Sequence, residues 1–219
     1  MILRSLRKHL IIVDDRSVIP REYYLDTDVL TVARDLLGAY LCARDERGVT
    51  RAMITETEAY KAPDDRASHA YKYRRTPRCE SMYAIGGTCY MYICYGIHDM
   101  CNVVTGPVNL PHAVLIRAVE PVDAIDLMLE RRRLQRKPDG SIPRNLCAGP
   151  GLLCQALGLH RGDDGEDLTV QKRVWIEPSE TLSAIPIVQT TRIGIGSSGD
   201  AVNYPYRFYI KDNLWVSQR

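Results

Sequence analysis

The sequence predicts an α+β protein: one compact domain built on a mostly antiparallel β-sheet flanked by helices. Three observations support this reading. Long apolar, strand-like tracts dominate the chain, and the helical segments between them recur irregularly, unlike a βαβ repeat. The 219 residues, 45% of them hydrophobic, suffice for a single core of ordinary size.

In chain order, residues 1–20 are charged without clear pattern and are expected to form a surface arm, leaving 21–219 as the domain. From Asp28, the residues Val29, Val32, Ala33, Leu36 and Leu37 follow the i, i+3, i+4 rule of a helix. Asp26, Thr27 or Asp28 can cap its start, and Gly38 suits its end. Ala39 to Ala43 and Val49 to Tyr60 then read as two strands around the turn formers Asp45, Glu46, Arg47 and Gly48. Tyr83 to Cys101 is a third extended region, broken at Gly86-Gly87 and at Gly96.

Val114 to Val119 is an apolar strand ended by Glu120-Pro121. Pro121 suits the first turn of a helix with Val122, Ile125 and Leu129 inside and a cationic last turn from Arg131 to Arg133. After a polar loop at 136–144, Pro150 opens a short helix through Leu153, Ala156 and Leu157 to Gly158. Further strands are expected at Val174 to Ile176, Ile185 to Val188 and Arg207 to Ile210.

A net charge of +2 does not mark a nucleic-acid binder, but the basic residues are unevenly placed. Arg66, Lys72, Arg74, Arg75 and Arg78 lie in a stretch without an acid, and Arg131, Arg132, Arg133, Arg136 and Lys137 form a second cluster. Either could be a solvated face. The seven cysteines contain no C-x-x-C and sit in apolar runs, as expected of reduced thiols in a cytosolic protein. Leu10 to Val13 is too short for a signal-peptide core, and no run approaches the ~20 apolar residues of a membrane span.

On a strand, Glu56, Glu58 and Tyr60 share one face, and alternation alone favours solvent on that side. Tyr90 and Tyr92 share a face of the next extended tract, and Tyr95 before Gly96 suits an exposed hairpin tip. Flat rings at a turn near arginines suit stacking on bases, although core packing of the phenols competes. His69 on its own reads first as a hydrogen-bonded structural residue. His9, His98, His112 and His160 show no metal spacing, and no phosphate-binding glycine loop appears, so the simplest enzyme reading is a hydrolase with no cofactor or metal.

Several blocks together resemble the alkyladenine (N-methylpurine, 3-methyladenine) DNA glycosylase family. They are Glu56 to Tyr60, Ser68-His69-Ala70, Arg74-Arg75-Thr76-Pro77-Arg78, Tyr90 to Gly96 with Asn102, and Val114 to Pro121. Val32 to Gly38, Gly149-Pro150-Gly151, Leu153 to Leu157 and Tyr206 to Ile210 extend the likeness over roughly residues 20 to 219. The resemblance implies a curved sheet with a protruding β-hairpin that enters the DNA minor groove. It implies a monofunctional enzyme of base excision repair, consistent with the lack of a Schiff-base lysine motif. Such an enzyme flips alkylated or deaminated purines, hypoxanthine among them, out of duplex DNA and hydrolyses the N-glycosidic bond, leaving an abasic site.

Carried over residue by residue, Glu58 matches the general base and Arg117 an arginine near the attacked sugar. Tyr60, His69 and Tyr92 match the base pocket, Asn102 the gate against guanine, and Tyr95 the intercalating wedge. Arg74, Arg75 and Arg78 are expected on the DNA backbone, and the partner is double-stranded DNA bound by a monomer, in the bacterial nucleoid or a nucleus. Leu152, Cys79 and Ile97 depart from the pattern, where lysine, asparagine and methionine are usual, so phosphate contacts or lesion preference are expected to differ. Two other readings compete: a glycosidase using Glu56 and Glu58 as a carboxylate pair, and a damage- or RNA-binding module without turnover.

Overall fold

The computed structural model describes residues 18–179 and 186–218. Most of the expected arm, residues 1–17, and the expected strand start at Ile185 lie outside the described residues. The elements are α1 (Arg21–Tyr24), α2 (Val29–Asp35), β1 (Tyr40–Asp45), β2 (Gly48–Lys61), β3 (Cys89–Cys94), β4 (His98–Thr105) and β5 (His112–Asp123). Then follow α3 (Ile125–Arg131), α4 (Pro150–Leu157), β6 (Val174–Glu177), β7 (Ile187–Thr190) and β8 (Arg207–Ile210). The strands form one open antiparallel sheet in the order β3-β4-β5-β2-β1-β6, with β8 pairing both β2 and β7.

The 14-residue β2 organises the sheet. Along one edge it pairs β5; along the other it pairs β1 as far as Met53 and β8 from Glu56 to Glu58. Near this change of partner the β2–β5 register steps from Ile54↔Val119 to Glu56↔Ala118 to Thr57↔Ile116. Thr55 on one strand and Arg117 on the other are therefore extra residues, two facing bulges at the centre of the sheet. Bulges raise local twist and re-aim side chains, and these two lie beside Glu56 and Glu58.

Alternation then sorts the two faces. Ala59, Cys89, Met91, Cys101, Val103, Val114 and Ile116 join the main core with Val32, Ala33 and Leu36 near α2 and Leu153 and Leu157 of α4. Asp28 caps α2 by accepting the Thr31 amide, and Thr57 Oγ1 donates to Ala33 O at 2.7 Å, fixing α2 on β2. Leu36 and Leu153 are fully buried, so truncating either to alanine removes ~2–5 kcal/mol. The opposite face carries Tyr60, Tyr90, Tyr92, Asn102, Leu115 and Arg117. Part of it packs a second, smaller core, where Tyr90, Val104 and Ala113 meet Cys79, Met82 and Tyr83 of the 3-10 segment Pro77–Tyr83, and the rest forms a cleft.

Two expectations need correction. Pro121 does not open a helix: it stays in β5 opposite Ala52, and α3 begins only at Ile125. The register shifts between Arg51 and Ala52, and a residue without an amide proton is tolerated at such an irregularity. Val122 is accordingly exposed rather than on an inner helix face. Tyr83 ends a 3-10 turn, Pro77–Tyr83, and the strand begins only at Cys89. The intervening Gly86 lies against α1 so closely that a Cβ there would come within 2.3 Å of Tyr24 O.

Candidate active site

The cleft holds about 340 Å³. Its floor is the face of β3, β4, β5 and the end of β2; one wall is the turn bearing Ala67 and His69, and another is a loop from Ile193 to Ser198. Glu58 lies directly behind this surface, with no exposed area. Its Oε1 accepts the Ile193 amide at 2.7 Å and lies 3.4 Å from Arg117 Nη1, and its Oε2 accepts the Tyr60 hydroxyl at 2.8 Å. All three donors line the cleft. An ionised carboxylate offers about four acceptor positions, so three protein donors leave room for one more.

The solvated-face reading of Glu56 and Glu58 is overturned, because neighbours that a strand pattern cannot show enclose both carboxylates. Burial pushes the Glu58 carboxyl above its ordinary range, and Arg117, the Ile193 amide and Tyr60 pull it back. Glu56 has a different setting. Its Oε1 accepts from Arg117 Nε at 3.1 Å and Arg207 Nε at 2.7 Å, and its Oε2 accepts the Ser217 amide at 2.6 Å. Glu56 thus serves as the anchor for two arginines, a poor setting for half of a catalytic carboxylate pair.

The aromatic residues form a connected group. His69 Nδ1 and the Tyr90 hydroxyl are hydrogen-bonded at 2.8 Å, and the His69 ring meets Tyr92 edge-on at 4.6 Å between centroids. Tyr90 and Tyr92 lie 5.6 Å apart. Burial, with Arg78 and Arg74 nearby, holds the imidazole pKa down to about 4, so His69 is neutral at physiological pH. Burial also raises the hydroxyl pKa values of Tyr60, Tyr90 and Tyr92, so all three stay protonated. Asn102, 2% exposed, donates both amide protons, to Tyr90 O at 3.0 Å and Met100 O at 3.2 Å. Both neighbours are acceptors only, which fixes which side-chain atom is nitrogen.

At the mouth, the β3–β4 hairpin turns through Tyr95 (φ +51°) and Gly96 (φ +73°), closed by the Ile97 amide donating to Cys94 O. Positive φ at both central residues is the pattern of a tight primed hairpin turn. Tyr95 is 88% exposed and Ile97 69% exposed, so the tip carries two bare apolar side chains. Arg78 lines the cleft beside it, donating to Ile93 O and lying 5.3 Å from the Tyr92 ring centre. Arg74 is exposed, while Arg75 is paired with Glu80 and lies over Tyr83. The second basic cluster is divided: Arg131 pairs with Asp45 and Arg132 donates to Asn145 O, while Arg133, Arg136 and Lys137 are exposed, Arg136 in a surface pair with Asp126.

The structure therefore brings Glu58, Arg117, Tyr60, His69, Tyr92, Asn102, Tyr95 and Arg78 to one cleft, and leaves Arg74 and Arg75 on the adjoining surface. Sequence reasoning missed Asp65 and the loop after Arg192, and it placed Tyr90 on the same face as Tyr92 without assigning it to the base pocket. The run Arg192-Ile193-Gly194-Ile195-Gly196-Ser197-Ser198 was a usable signal, since repeated glycines next to apolar residues mark close backbone approach.

A buried carboxylate with a cation beside it thus stands at the wall of a cleft lined by aromatic side chains. The chain belongs to the methylpurine-DNA glycosylase family, whose model matches residues 23–214. Three similar relatives each bear the name "Putative 3-methyladenine DNA glycosylase". The Chlamydia felis protein is 44% identical over 193 residues, 88% of this chain and 96% of its own. That of Desulfitobacterium hafniense is 42% identical over 199 residues, 90% and 97%. That of Bacillus licheniformis is 42% identical over 203 residues, 91% and 96%. Among the described residues no helix is long and apolar enough to cross a membrane.

Proposed function

We propose that this protein is a monofunctional 3-methyladenine-type DNA glycosylase that accepts alkylated and deaminated purines flipped out of duplex DNA. The observation that carries this reading is the position of Glu58, whose three hydrogen-bonding or ionic partners each form part of the cleft wall.

A stacked base hides its glycosidic bond, so the nucleotide must leave the helix, at a cost of a few kcal/mol. Tyr95 at the hairpin tip fills the gap, as intercalating side chains do from the minor groove, while Arg74, Arg75 and Arg78 hold neighbouring phosphates. The extruded purine lies among Tyr60, His69 and Tyr92. Tyrosine faces favour a cationic base such as 3-methyladenine by ~0.5–2 kcal/mol per contact, and neutral His69 adds no opposing charge. Asn102, pinned by two hydrogen bonds, cannot swing aside for the exocyclic amine of guanine.

Glu58 takes a proton from the water whose oxygen attacks the anomeric carbon, and the bonding pair of the broken C–N bond leaves with the purine. The carboxylate also faces the oxocarbenium-like charge that develops on the sugar, and Arg117 holds it in place. The protein acts as a monomer on DNA in the cytoplasm. Incubating it with duplexes containing hypoxanthine or an alkylated adenine tests this. Strand scission only after hot alkali is expected; scission without alkali contradicts monofunctionality, and no scission under either condition contradicts the glycosylase reading.

A further inference from the structure

We infer that Arg192, clamped by Asp65, is a positioning residue that sets the cleft's two walls and seats the Ile193 amide on the Glu58 carboxylate, an inference that builds on Glu58 as the base. Arg192 Nη1 donates to Asp65 Oδ2 at 2.5 Å and Nη2 to Asp65 Oδ1 at 2.8 Å, a two-pronged pair with side chains 0% and 1% exposed. The same guanidinium donates to Ala59 O at 2.9 Å, in the residue next to Glu58, and to Ala201 O at 3.4 Å. It lies between rings, 4.7 Å from the centre of Tyr60 and 5.2 Å from that of Tyr206.

Each end of this clamp reaches the site. Asp65 accepts the Ala67 amide at 3.0 Å and the Lys61 amide at 3.2 Å, so it shapes the turn that carries Ala67 and His69 into the cleft. Arg192 immediately precedes Ile193, so fixing its side chain on β2 fixes where the Ile193 amide points. Burying an ion pair costs desolvation that well-packed apolar residues avoid, so stability alone is a weak reason to keep one here. Orientation is a better one, because a guanidinium fork fixes direction as well as distance.

The groups facing Glu58 are Tyr60 and Glu56 on its own strand, Arg117 from β5, Tyr92 from β3, Arg207 from β8, and Arg192 with the Ile193 amide from the loop. Removing the clamp frees the loop amide, which favours the ionised carboxylate, while the Arg192 charge goes together with the opposite charge of Asp65.

The test compares wild type with Arg192→Lys and with the apolar pair Arg192→Met/Asp65→Leu, each checked for folding by thermal melt. In the folded variants the acid limb of single-turnover excision is expected to move up by about one pH unit, with less displacement in Arg192→Lys. The neutral-pH rate is expected to fall about 10- to 100-fold. By NMR, the wild-type Ile193 amide shift is expected to titrate with the Glu58 carboxyl and to lose that titration in the apolar pair. An unmoved acid limb and a retained amide titration in a folded apolar-pair variant would overturn the inference. Glu58→Gln separates the two claims: if that variant still excises, the base assignment falls, while the amide titration continues to judge the clamp.

Discussion

Tyr60 and Glu58 sit two residues apart on β2 and are joined by a 2.8 Å hydrogen bond from phenol to carboxylate. The pair exists because strand alternation puts both side chains on the cleft face, and the bulges at Thr55 and Arg117 turn that stretch toward its neighbours. A donor on the ionised form favours ionisation, so Tyr60 opposes the upward push of burial on Glu58. In Tyr60→Phe the carboxyl is held higher, and the acid limb of excision moves to higher pH. A pH–rate profile that superimposes on wild type would contradict this.

Glu56 should separate from Glu58 in mutagenesis. It holds Arg117, Arg207 and the Ser217 amide, and it is fully buried. Glu56→Ala leaves two buried guanidinium groups short of an acceptor and costs ~3–5 kcal/mol, read as a lower denaturation midpoint. Where the variant remains folded, excision per folded molecule stays well above that of Glu58→Gln. Equal loss of chemistry in the two would restore the carboxylate-pair reading.

Tyr95 carries a positive φ that glycine adopts freely, at a strain of about 1 kcal/mol for another residue. Tyr95→Gly is therefore expected to melt at or above the wild-type temperature. It is also expected to bind a lesion duplex about 5- to 150-fold more weakly, through loss of ~1–3 kcal/mol of stacking. Unchanged binding would remove the wedge role. A parallel drop in both quantities would make the tip structural.

The arginine segments should differ in salt dependence. Losing a phosphate contact lowers the slope of log affinity against log salt by about 1. Arg74→Ala, at an exposed position beside the cleft, is expected to show that change. Arg136→Ala, which breaks the Asp126 pair on the α3 side, is expected to leave the slope within error of wild type.

His69 makes a stability prediction. Its folded pKa of about 4 lies below the unfolded value near 6.5, so the unfolded chain takes up the proton first. Stability from this group is intact above pH 6.5 and is lost as pH falls toward about 4, by up to about 3 kcal/mol. Chemical denaturation of wild type and His69→Gln across that interval should converge as pH falls. A constant gap between them would contradict a neutral, buried imidazole.

Strand period and turn residues made much of the sheet legible, because local sequence determines both. The α2 helix with Asp28 and Gly38, the β3–β4 hairpin with Tyr95 and the Pro150-to-Gly158 helix follow from such signals. Pro121 was misread because its place depends on the register of a partner strand, Ala52, which no local pattern contains. The burial of Glu56 and Glu58 was hidden for the same reason: Arg117, Arg207 and Ile193 arrive from distant parts of the chain. The roles proposed for Glu58 and Asn102 rest on the family resemblance, while Arg192 and Asp65 emerge from side-chain geometry.

The most direct measurement is single-turnover excision and equilibrium binding by Glu58→Gln on one alkylated-purine duplex. With the fold and the Tyr60 contact kept, binding should stay within about threefold of wild type. Excision should fall at least ~100-fold, the usual contribution of a general base. A variant that binds equally and excises at the wild-type rate would show that Glu58 does not activate the water.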